Sequence, residues 1–165
     1  MSKKARRHNL REKEVKQLLA EATKQARMDL QTIFGPKPNI EVLEEAETKI
    51  FIFNGKPVLA GIGNILFPTL LFNEALEFLP KVVVDMGAVP HVCNGADVMV
   101  PGIVRVEGSF SKDNIVLITD VQHGKPIAVG TALLDSKDMK NITHGKAVKN
   151  IHHIGDKLWN KLKKI

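Results

Sequence analysis

At 165 residues, 44% of them hydrophobic and 25% charged, the chain has the make-up of a soluble globular protein of one ordinary domain or two small ones, which excludes a largely disordered protein. No stretch approaches the ~18 apolar residues of a membrane span, and Cys93, the single cysteine, excludes an intramolecular disulfide. Charge is unevenly spread: residues 1–27 hold nine basic and three acidic groups, 28–139 hold eight and fourteen, and 140–165 hold seven and one.

Basic ends on a folded body suit a partner with phosphates, because Lys and Arg release counterions on binding. The amino terminus, MSKKARRHNLREKE, reads as basic and then helical, with no apolar segment of the kind a signal peptide needs. A cytoplasmic protein is the expectation.

Val15, Leu18, Leu19, Ala22 and Ala26 fall at helical spacing and predict one apolar stripe on a helix from about Leu10 to Arg27. Gly35-Pro36-Lys37-Pro38 bars any continuation. The run Glu41, Glu44, Glu45 and Glu47 reads as a solvated acidic face. Lys49–Phe53 and Val58–Ile62 flank Asn54-Gly55, a strong hairpin signal because both residues tolerate positive φ. Phe67-Pro68-Thr69 then leads into a predicted helix over Leu70–Phe78, with a domain boundary near residue 80.

Lys81–Asp85 reads as a buried strand running into a very short helix, since Pro90 fits only a first turn and Asn94-Gly95 supplies a left-handed stop. The apolar spacing of Val89, Val92 and Cys93 lays this helix on a sheet or barrel. Short strands follow at Val98–Val100, Ile103–Val106, Ile115–Asp120 and Ile127–Leu134, with Gly/Pro turns between them, the pattern of a small barrel or sandwich. Ser136 is placed to cap a helical turn through Met139. Ala147–Ile154, a Gly155-Asp156 turn and Leu158-Trp159 precede a lysine-rich end.

The run VDMGAVPHVCNGADVMVPGI, Val84 to Ile103, resembles the opening of PUA domains, and the likeness continues through Gly124–Gly130 and Gly145–Trp159. That ending, with Phe67-Pro68-Thr69 upstream, resembles the malignant-T-cell-amplified-sequence family, over nearly the whole chain from about Ile40. The resemblance implies an α+β fold: an amino-terminal α/β domain over residues 1–79, a PUA pseudo-barrel of short mixed strands and short helices over 80–159, and a basic tail over 160–165. It also implies a non-catalytic protein that binds structured RNA, rRNA or tRNA, on or near the small ribosomal subunit. The process implied is translation initiation, reinitiation or ribosome recycling, with an initiation-factor-like partner meeting the amino-terminal domain. Archaeal members look like this chain.

Similarity to PUA domains places the RNA face on Gly87, Ala88, Val89, His91, Asp97, Val98 and Met99, with Gly95 in the same loop; Val89 and Val98 could equally be core. Gly87, Gly95, Gly102 and Gly130 can each serve as turns, because glycine enters positive φ without strain. Lys81, Arg105, Lys146 and Lys149 are the cations expected near that face. There is no tyrosine, and Phe110 and Trp159 are the aromatics of this half, so phosphate contacts and groove shape are expected rather than base stacking. No cofactor is implied. His91 with Cys93, and His144 with His152 and His153, lack the spacing of a zinc site. An acid–base pair would have to come from Asp85, Asp97 or Asp120 with His91 or His123, without a nucleophile motif or phosphate loop. Two other readings remain: an RNA-binding accessory to an rRNA or tRNA modification enzyme, or a protein-interaction adaptor docking through the acidic run.

Overall fold

The predicted apolar stripe is buried along its whole length. In the computed structural model, which describes residues 5–165, Val15, Leu18, Leu19, Ala22 and Ala26 all lie on the inner face of helix α1 (Glu12–Ala26). The helix opens with the Arg11 amide donating to the Glu14 side chain and closes on Arg27, whose left-handed φ of 52° lets its amide reach back to Ala22 and Thr23. A strand β1 (Arg6–Asn9) precedes it; a short helix α2 (Leu30–Phe34) follows, and Gly35 at φ 78° ends it. Residues 1–4 of the basic amino terminus lie outside the described residues.

The rest of this first unit, which runs to Phe78, is an antiparallel meander: β2 (Ile40–Glu45), β3 (Thr48–Phe53), β4 (Lys56–Ile62) and β5 (Ile65–Pro68), in spatial order β1-β2-β3-β4-β5. Helix α1 packs on β5. The hairpin turn is as read: Asn54 and Gly55 take φ of 50° and 85°, the two positive values that match the twist of the flanking strands.

Three readings of this unit are corrected. The segment Arg6–Asn9 is a strand, not the lead-in to a helix. The acidic run is largely β2, with Ile40 and Val42 buried on either side of Glu41; Glu41 pairs with Arg7 on β1, and that hydrogen bond holds its carboxyl below the usual range. Glu44 lies 4.0 Å from Lys49, so two of these carboxylates stand beside cations of the same sheet. Finally, Phe67 and Pro68 belong to β5, where proline is tolerated at the end of an edge strand. Only α3 (Asn73–Leu76) is helical in the predicted 70–78 helix. Thr69, wholly buried, instead donates its hydroxyl to the Pro57 carbonyl at 2.7 Å.

The second unit, Leu79–Lys164, contains β6 (Lys81–Val84), α4 (Val89–Val92), β7 (Val98–Met99), a 3-10 turn (Val100–Gly102), β8 (Ile103–Glu107) and β9 (Ile115–Asp120). Then come β10 (Pro126–Ala132), α5 (Ser136–Met139), β11 (Lys146–His153) and α6 (Lys157–Leu162). The sheet order is β7-β11-β10-β9-β6-β8, parallel only between β6 and β9. Strands β7 and β8 stand at opposite ends of that order, yet three residues join them. The sheet must therefore curl until its ends approach, which is the pseudo-barrel expected of a PUA fold. Val82, Val84, Val92, Val98, Val116, Ile118 and Val148 fill it, with Val89 and Cys93 packed at its margin.

Two further expectations change. Residues 160–165 are not simply a basic tail: α6 runs through Leu162, which is buried with Leu158. Ser136 does not cap α5 but is its first residue, its hydroxyl accepting from the Phe110 amide.

Candidate nucleic-acid interface

The Gly-Ala turn is built by Asp85. Its amide donates to the Gly102 carbonyl at 2.9 Å, and its carboxylate Oδ1 accepts the Ala88 amide at 2.8 Å, closing the chain between β6 and α4. Gly87 is exposed on this turn and does not take a left-handed φ, so positive φ is not what calls for glycine here; a Cβ there would stand 3.3 Å from Asp85 Oδ1. Gly102 answers to packing as well, since its Cβ would lie 3.2 Å from that of Ala88. Gly95, at φ 95°, does end α4 as the sequence reading has it. Gly130 is a close approach between strands: an added Cβ would fall 2.4 Å from the Lys149 carbonyl oxygen.

Beyond α4, one side chain holds the loop. Asn150 on β11 donates from Nδ2 to the carbonyls of Val92 (2.9 Å) and Ala96 (3.0 Å), while its amide donates to Asp97 Oδ1 (2.9 Å). The other carboxylate oxygen of Asp97 lies 3.3 Å from Lys146 Nζ. Asp97 thus links the Asn150 backbone amide to the Lys146 ammonium.

These elements enclose an open cleft of about 620 Å³. Ala88, His91, Asp97, Val98, Met99 and Lys146 border it, six of the residues the sequence reading assigned to RNA, together with Asp85 and Pro101. Lys146 is well exposed and Met99 is 45% exposed. Val98 contributes backbone only, because its side chain is 2% exposed and belongs to the barrel core. Val89 packs on that core too and lies outside the cleft.

The remaining cations scatter. Lys81 is half-buried at the far end of β6 from the turn, Lys149 is exposed on β11, and Arg105 borders a different cleft on β8. Sequence reasoning missed Asp85 and Asn150 as organisers. An aspartate three residues before a helix N-cap is a detectable turn signal; Asn150 has no local signature.

Two of the carboxylates raised for acid–base work, Asp85 and Asp120, serve turns. Asp120 accepts the amides of His123 and Lys125, and the His123 bond above all holds its carboxyl below the usual range. His152 and His153 point to different partners: His152 Nδ1 contacts Asp156 Oδ2 at 2.9 Å, and His153 Nδ1 meets the Ile154 carbonyl. Among the described residues, no group of three His, Cys, Asp or Glu side chains is placed to hold a metal ion, and no helix is long and apolar enough to cross a membrane.

Comparison with known proteins matches residues 80–154 to the PUA domain and residues 6–73 to a domain of unknown function, DUF1947. An uncharacterized protein of Methanocaldococcus jannaschii is 40% identical over 129 residues, 78% of this chain and 80% of that one. Translation machinery-associated protein 20 of Schizosaccharomyces pombe is 30% identical over 132 residues, 75% of this chain and 73% of its own. Human malignant T-cell-amplified sequence 2 is 31% identical over 116 residues, 62% of this chain and 64% of its own. Among solved structures, a hypothetical protein from Pyrococcus horikoshii superimposes with a TM-score of 0.82 at 34% identity, covering 95% of this chain and 99% of that one.

Proposed function

The chain belongs to the PUA-domain family of translation machinery-associated protein 20 and the malignant T-cell-amplified sequences, and we propose that it is a non-catalytic RNA-binding protein of translation. It acts in the cytoplasm at initiation, reinitiation or ribosome recycling, on the small ribosomal subunit. The observation that carries this reading is the cleft where the Gly-Ala turn, α4 and β7 converge on Lys146.

Recognition rests on phosphates and groove shape. Phe110 is 4% exposed and Trp159 is half-buried under Lys163 at 4.8 Å, so neither aromatic of this unit stands ready as a stacking platform for a base. RNA affinity is expected to fall steeply with salt. Lys146→Ala should weaken binding of a tRNA transcript several-fold, as should Gly87→Asp, which sets a carboxylate on the exposed turn. Lys56→Ala on the first unit's hairpin should leave it unchanged. Lys146 is exposed, so the thermal midpoint of its variant should hold; a Cβ at Gly87 stands 3.3 Å from Asp85 Oδ1, so Gly87→Asp is read only on protein whose thermal midpoint is unchanged. Tight binding indifferent to salt and to both variants would refute the mechanism. Sequencing RNA crosslinked in cells identifies the target: ribosomal or transfer RNA supports a role in translation, whereas one precursor RNA points to a modification accessory.

The first unit serves as a docking element for an initiation-factor-like protein. Residues 1–78, whose five-stranded sheet carries its own buried core, should recover that partner from lysate without the PUA unit. Recovery of every protein partner by the PUA unit alone would count against it.

A further inference from the structure

A second cleft of about 620 Å³ opens on the PUA unit between β8 and the segment that follows α5. Strand β8 ends the sheet order, so among the described residues its outer edge has no strand beside it. One wall is Ile103–Val106; the other is Met139, Lys140, Ile142 and Thr143. The two clefts share one lining residue, the exposed Pro101.

The chemistry of the second cleft is specific. It is bordered by two cations, Arg105 and Lys140, one on each wall, and by no carboxylate. Arg105 Nε lies 3.9 Å from Glu107, a contact between two half-exposed groups that water screens, and the planar fork keeps its terminal N–H groups for a bidentate acceptor. Val104 and Ile142, 49% and 38% exposed, give the cleft an apolar rim. Buried Met139 anchors the wall that carries Lys140. Two cations on facing walls with apolar carbon beside them suit a sugar–phosphate backbone.

We propose that this cleft seats the backbone of the same RNA that occupies the first cleft, the strand passing over Pro101. Arg105 and Lys140 pair its phosphates, and Val104 and Ile142 pack against ribose. The proposal rests on the RNA-binding reading above. It gives the site a direction and a second anchoring point that Lys146 does not supply.

The test compares the full chain with three variants, using a fluorescent tRNA transcript titrated at several salt concentrations. Arg105→Gln with Lys140→Gln should bind about tenfold more weakly at low salt, and the slope of log affinity against log salt should become shallower by about 1 to 2. Lys112→Gln with Lys157→Gln removes the same charge from exposed residues of neither cleft and should bind as wild type does. If the first double variant binds normally while Lys146→Ala is impaired, the second cleft is not an RNA site and the first-cleft reading stands. Equal losses in both double variants would mean general charge attraction and would also overturn the proposal. If wild type itself fails to bind, both readings fall. Arg105 and Lys140 are exposed, so an unchanged thermal midpoint is expected and confirms that binding, not folding, is read.

Discussion

Gly130→Ala is expected to unfold the PUA unit at temperatures where the wild type is intact. Gly130 does not take a left-handed φ, so its backbone alone would accept alanine. The obstacle is a neighbour: the new Cβ would fall 2.4 Å from the Lys149 carbonyl oxygen and 2.5 Å from Val148 Cγ1. One of these is backbone within β11, at a place where the β10–β11 register shifts between Val129 and Gly130, and it cannot rotate away. The strands must part, and β11 carries both Lys146 and the Asn150 that holds the loop after α4. Overpacking a close-fitted interior costs about 3 kcal/mol, which for a unit this small lowers the thermal midpoint by roughly 12 °C or more. Differential scanning calorimetry of the full chain measures it. Gly124→Ala provides the contrast: Gly124 has φ 65° and open space around it, so it should cost only backbone strain of about 1 kcal/mol. A Gly130→Ala midpoint within about 2 °C of wild type would show that β10 and β11 do not approach as closely as described.

Asp156→Ala should be the second large loss, and a pH-dependent one. Asp156 joins β11 to α6: Oδ1 caps the helix by accepting the Trp159 amide at 2.7 Å, and Oδ2 accepts the His153 amide at 2.9 Å and contacts His152 Nδ1 at 2.9 Å. His152 is wholly buried, so removing this acceptor disturbs the interior as well as the cap. Loss of a cap costs about 1 kcal/mol and loss of a buried acceptor about 1–3. Burial opposes ionisation of Asp156, but the bonds from His152, Trp159 and His153 outweigh it and hold the carboxyl below its ordinary value.

A carboxyl lowered in the folded state contributes stability that is fully present above its unfolded value of about 3.9 and is lost as pH falls through the folded one. The gap in thermal midpoint between wild type and Asp156→Ala should therefore be widest at neutral pH and narrow below about pH 4. Asp120 is lowered too, but it is present in both proteins and cancels from that gap. A gap that stays constant from pH 7 to pH 3 would mean that the ionised form of Asp156 is not what the fold favours.

Much of this protein is written in short stretches of its sequence. The stripe from Val15 to Ala26 demanded a helix, Asn54-Gly55 a two-residue hairpin, and Pro90 followed by Asn94-Gly95 a helix of a single turn, because each constraint acts over a few residues. The PUA resemblance carried the curled sheet and brought Ala88, His91, Met99 and Lys146 into one neighbourhood. The same locality explains the misreadings. Ile40 and Val42 are separated by glutamate, and their strand became visible only against β1 and β3. Val98, which the sequence left open between core and RNA face, alternates toward the core, a fact set by its pairing with Val148 fifty residues on.

The decisive contacts of the site join residues far apart in the chain: Asp97 with Asn150, Asp85 with Gly102, and Gly130 with Lys149. Each exists because β7 and β11 pair, β10 and β11 pair with a shifted register, and a three-residue turn draws the ends of the sheet together. Turn chemistry and periodicity carry no information about which distant strand will lie alongside. That is why glycines that look alike in the sequence differ in role: Gly95 supplies a left-handed φ, Gly102 and Gly130 supply room, and Gly87 leaves a turn bare. It is also why Arg105 and Lys146, read together as one basic face, stand in two clefts that share Pro101.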